Sequence, residues 1–123
     1  MKSGYINLVD LDFEYKIWKN RLELFIREIK IILDRNEEVK DEETIDDLPD
    51  EELKRIEEHE KELSLLFNRI KVHEQELHFY NKDFPITQEH QFHKDLEQIR
   101  NEIEELSRKH IDYIASLMNR LSL

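Results

Sequence analysis

The chain has 123 residues, with 30 Asp and Glu against 19 Lys and Arg, a formal net charge of −11, one Gly, two Pro and no Cys. So few turn formers argue against sandwiches and barrels, and without cysteine there is neither a disulfide framework nor thiolate chemistry. The start, Met1-Lys2-Ser3-Gly4-Tyr5, lacks the long apolar run of a secretion signal or membrane span, so the expectation is one cytoplasmic helical domain over residues 1–123.

From Leu11 onward apolar residues recur at alternating four- and three-residue steps: Tyr15, Trp18, Leu22, Phe25, Ile29, Ile32 and Val39, with only Asn36 interrupting. This spacing predicts a first helix over about 11–39, with Asp10 as its N-cap. An acidic connector, about 40–49, follows. Pro49 suits the first turn of a second helix, and Asp50, Glu51 and Glu52 favour its positive end. That helix, expected over about 50–83, carries the stripe Leu53, Ile56, Glu60, Leu63, Phe67, Ile70, Glu74, Leu77, Asn81 and Phe84 until Pro85 stops it. Thr87 is the natural cap of a third helix, about 87–121, with Phe92, Leu96, Ile99, Ile103, Leu106, His110, Tyr113 and Leu117 on its stripe. Three rods of about 45–50 Å, joined by one acidic loop and one short turn, predict an all-α, antiparallel up-down-up three-helix bundle.

The acidity is local. Residues 37–62 hold 14 acids and 4 bases, and the other 97 residues hold 16 and 15. This balance disfavours nucleic acid and membrane surfaces as partners, because phosphate binding needs clustered Lys and Arg. The acidic run keeps a bundle soluble, and its sharper reading is a surface for a basic protein partner. A three-helix bundle this long has a thin core, and Leu24, Ile26, Leu65, Ile111, Ile114 and Met118 lie outside or beside the main stripes. Self-association into a homo-oligomer is therefore expected. The first helix has the most continuous seam, which makes Leu11, Tyr15, Trp18, Leu22, Phe25 and Ile29 the candidate interface.

Polar residues inside the stripes need partners. His110 should face Glu60 across the second turn as a buried polar pair. Tyr15 should come level with Glu74. Asn36 and Asn81 are expected near helix ends, within reach of water.

One constellation carries possible metal chemistry. Glu74-x3-His78 precedes the second turn and Glu89-x3-His93 follows it, and i,i+4 spacing stacks each pair on one helix face. Two carboxylates and two imidazoles form a ligand set that zinc or iron accepts, while the plainer reading is a surface ion-pair lattice. The Glu-x-x-His motif of ferritin-like di-iron bundles is absent, as are the His-x3-Glu and His-x3-His pairs of hemerythrin-like proteins. A single Gly at position 4 cannot build a phosphate cradle. No catalytic residue and no cofactor beyond that divalent metal is implied, so an enzymatic role is the weaker expectation.

Trp18-Lys-Asn-Arg-Leu22-Glu-Leu-Phe25 through Glu38-Val39, and His78-Phe79-Tyr80-Asn81-Lys82-Asp83-Phe84, resemble uncharacterised small bacterial helical-bundle proteins. In these a Trp opens a long first helix and a His-Phe-x-Asn motif precedes a turn. The resemblance covers about a third of the chain and implies a coiled-coil-like bundle without a named activity.

Overall fold

The computed structural model describes residues 8–79 and 90–123, and these form three α-helices: α1, Leu8–Val39; α2, Asp50–Leu77; and α3, Gln91–Arg120. All nine α1 stripe positions, from Leu11 to Val39, are buried. Leu11, Tyr15, Trp18, Leu22, Phe25 and Ile29, expected as a surface shared between chains, are at most 6% exposed and fill this chain's own core. Removing such side chains from water is worth about 1.5–3 kcal/mol each, so the seam closes internally.

α2 begins where Pro49 leaves extended backbone and its carbonyl receives the N–H groups of Glu52 and Leu53. It ends at Leu77, six residues short of the expected 83, where the His78 N–H turns back onto the Gln75 and Glu76 carbonyls. Asn81, Phe84, Pro85 and Thr87 lie outside the described residues. At the start of α3, His90 acts as N-cap: its Nδ1 accepts from the Phe92 N–H at 3.1 Å.

Hydrogen bonds fix the helix directions. On α2 and α3, Glu52 meets Arg120, His59 meets His110, and Arg69 meets Gln98, so one number rises as the other falls. Along α1 and α3 both numbers rise together: Glu14 with Arg100, Arg21 with Ser107, and Arg35 with the Leu121 carbonyl. α1 and α2 are the most closely packed pair.

Two departures from the expected stripes reposition side chains. On α2 the buried row is Glu52, Ile56, His59, Leu63, Leu66, Ile70, His73 and Leu77. Ile56, Leu63, Ile70 and Leu77 are as expected, but every intervening position is one residue earlier. Leu53 and Phe67 are left only partly buried at the core's margin. On α3, Ile114 takes the buried position expected of Tyr113, which is only partly buried against the core. Asn36 is not watered either. It is 2% exposed, and its Oδ1 accepts the Leu48 N–H at 2.7 Å, which folds the acidic connector back onto the core.

Candidate functional site

The shifted α2 row puts polar side chains at three core positions, Glu52, His59 and His73, and each is met by a partner from another helix. Their spacing, one and two heptads, places them on one face of α2 in three separate layers of the bundle, with Leu66 between His59 and His73.

The central layer joins all three helices. Glu28 of α1 lies 2.8 Å from Nε2 of His110 on α3, and His110 Nδ1 lies 2.9 Å from Nε2 of His59 on α2. The imidazole planes differ by only 18°, so the rings meet edge to edge through nitrogen. Phe25 stacks on His110 at 4.0 Å, and Tyr113 sets its ring edgewise against His59. The carboxylate dictates the proton positions. An ionised Glu28 only accepts, so His110 carries its proton on Nε2 and offers the Nδ1 lone pair. His59 must then donate from Nε2, which leaves its own Nδ1 as a bare acceptor. That atom is buried without a hydrogen-bond partner among the described residues. Burial first, then the nearby His110 and Lys109 cations, pushes the His59 pKa down to about 4. Burial also holds His110 below its ordinary value, with Glu28 opposing.

Glu60, expected opposite His110, is only half-buried. Both ring nitrogens of His110 are taken by other groups, so that pairing is replaced by His59 and Glu28. The same one-residue shift acts in the next layer. The Tyr15 hydroxyl meets Nδ1 of His73 at 2.5 Å, with Phe92 stacked on the imidazole. Glu74 instead receives Lys19 at 2.6 Å. Burial, reinforced by Glu14, drives the Tyr15 phenol far above its usual range and keeps it a neutral donor, while burial lowers His73. In the third layer Glu52 accepts from Tyr113 at 2.5 Å and from Arg120 at 3.0 Å.

A carboxylate orienting an imidazole is one half of a nucleophile-activating relay. Here the next group is a second enclosed imidazole. The groove of about 390 Å³ between α2 and α3 is lined by Glu62, Leu65, Arg69, Glu102 and Lys109 among others, but neither His59 nor His110 reaches it. Its charges pair across the helices, Arg69 with Glu102 and Lys109 with Glu62.

Three of the four residues of the expected metal set are described. Glu74 is engaged by Lys19, His78 is the exposed cap of α2, His93 is half-buried on α3, and Glu89 lies outside the described residues. Among the described residues no group of three or more His, Asp or Glu side chains is placed to hold a metal ion. No helix among them is long and apolar enough to cross a membrane. No family model matches the chain, and no match was found among curated proteins or solved structures.

Proposed function

We propose that the chain is a non-enzymatic contact module that binds protein surfaces, first of all a second copy of itself, through the outer face shared by α1 and α3. The observation that carries this reading is a row of exposed apolar side chains at seven-residue spacing on α1: Ile17, Leu24 and Ile31, each about half exposed. Each lies three residues beyond a residue that contacts α3, namely Glu14, Arg21 and Glu28, and so occupies the same flank of the helix. Three contacting pairs on α1 and α3 differ by 86 in number, while Glu28 reaches one turn back to His110. Leu24 is therefore level with His110 and its neighbour Ile111, and Ile31 with Leu117 and Met118. Ile111 and Met118 are also exposed, at 59% and 39%. Five apolar side chains, Ile17, Leu24, Ile31, Ile111 and Met118, thus flank the α1–α3 seam.

Charge selects the same face. Residues 8–36 hold six acids and six bases, and α3 holds six acids and five bases, whereas residues 37–62 carry a net of −10. Two copies meet with least repulsion through α1 and α3, keeping their acidic segments apart. The row is also symmetric about Leu24, so a two-fold axis there sets Ile17 of one copy against Ile31 of the other.

The test is sedimentation equilibrium of the wild type against Leu24→Asp with Ile111→Asp. Both residues are exposed, so helicity should be unchanged. The expected result is a wild-type dimer and an association at least about tenfold weaker in the variant. A wild type that stays monomeric at millimolar concentration would overturn the self-association reading.

A further inference from the structure

We propose that Glu28, His110 and His59 form a proton-operated latch between the helices: the chain absorbs one proton, and a second drives α2 and α3 apart. The latch stands on the geometry of one hydrogen-bonded line through all three helices, Glu28 to His110 at 2.8 Å and His110 to His59 at 2.9 Å. It ends in His59 Nδ1, buried and without a hydrogen-bond partner among the described residues.

The first proton binds the only free lone pair, at His59 Nδ1. The proton on His59 Nε2 then crosses the short gap to His110 Nδ1, and the positive charge settles on His110 beside the Glu28 carboxylate. Every nitrogen facing another keeps one donor and one acceptor, so the line survives. A second proton finds only His59 Nε2. Two N–H groups then face each other where one hydrogen bond stood, on two cationic rings. From α1, Glu28 offsets one charge only. From α3, Lys109 adds repulsion, and the Tyr113 hydroxyl is already committed to Glu52. From α2, Glu62 gives a further offset, and it is paired with Lys109. The repulsion acts across the α2–α3 seam, while α1 and α2 remain the most closely packed pair. The α2–α3 seam therefore opens, while Glu28 holds the His110 cation on the α1 side.

The chain has no cysteine, so Leu65→Cys and Glu105→Cys, on opposite walls of the α2–α3 groove, take two spin labels cleanly. Their separation is measured by pulsed electron spin resonance between about pH 7 and about pH 4, which spans the range from ordinary to depressed histidine values. The expected result is a short distance at neutral pH that lengthens in acid. His59→Leu in the same labelled chain should keep the short distance throughout. Glu28→Gln, at a side chain 37% exposed, removes the only charge compensation from α1 and should move the opening to higher pH, by up to about one unit. A distance that stays constant in the wild type, an opening at the same pH in His59→Leu, or a shift of Glu28→Gln to lower pH would each overturn the latch.

Discussion

Asn36 shows how a single polar side chain decides the path of the chain. It interrupts an otherwise apolar row on α1, and a break of that kind is visible in the sequence. Its partner is not, because the group it satisfies is a backbone N–H twelve residues away, at Leu48, and a backbone amide has no residue signature. Both residues are buried, so neither end of the bond is replaced by water. Arg35 reinforces the same return, bonding the Leu121 carbonyl at 2.9 Å and Glu42 at 2.9 Å. Asn36→Ala leaves the Leu48 amide buried and unpaired, and should lower stability by about 1–3 kcal/mol. In urea denaturation this appears as a lower midpoint with an unchanged slope. A loss below about 0.5 kcal/mol would show that the connector is held by other contacts. Glu28 was illegible for a related reason. It is one of many surface-patterned acids on α1, and only its reach to His110 on a parallel neighbour distinguishes it.

At the scale of the element, the α1 stripe was legible along its length, although the helix begins at Leu8 and so holds Asp10 within its first turn rather than as the expected N-cap; α2 was legible only at every second core position. The row Ile56, Leu63, Ile70 and Leu77 fits two helical registers. One adds Leu53, Glu60, Phe67 and Glu74; the other adds Glu52, His59, Leu66 and His73. Counting apolar residues favours the first, because it buries Leu and Phe. Desolvation favours the second. Burying carboxylates at 60 and 74 costs several kcal/mol per ion, whereas a neutral imidazole with a partner costs far less. The one acid in the observed row, Glu52, sits in the first turn of α2 and receives both Tyr113 and Arg120. The sequence did hold the needed signal: His59 and His73 are two heptads apart and face His110 and Tyr15, respectively, on the other stripes. The α1–α2 pairing makes this measurable. Tyr15→Phe strips His73 of its donor, and His73→Leu strips the Tyr15 hydroxyl of its acceptor, so each alone should be destabilising. The double variant removes both ends and should recover most of the loss, with a coupling of about 1–2 kcal/mol in a double-mutant cycle. Strictly additive losses would show that the 2.5 Å contact does not hold the register.

For the whole molecule, two electrostatic effects oppose each other as pH falls, and their magnitudes decide the sign. Protonating carboxylates relieves the self-repulsion of a chain with net charge −11, which would stabilise the fold. Asp and Glu titrate mostly near pH 4, however, and repulsion between surface charges is screened beyond about 8–10 Å at moderate salt, so little is gained above about pH 5.5. The buried histidines act earlier and in the other direction. His59, His73 and His110 are all held below their ordinary value, chiefly by burial. Folded His59 takes its proton only at about 4, while the unfolded side chain takes it at 6.5. Between those values the unfolded chain binds more protons, so stability is full above about pH 6.5 and is lost as pH falls toward 4. The His59 shift alone corresponds to about 3 kcal/mol, a large part of the 5–15 kcal/mol that holds a domain of this size. At the alkaline end Tyr15 and Tyr113 are raised above their ordinary 10.0, so their contribution persists until pH exceeds that value. The urea midpoint should therefore fall between about pH 7.5 and about pH 5.5, before the carboxylates titrate, and should fall less in His59→Leu. A midpoint that rises over that interval would mean that relief of the acidic charge outweighs the buried imidazoles. The three polar layers would then act only to set register.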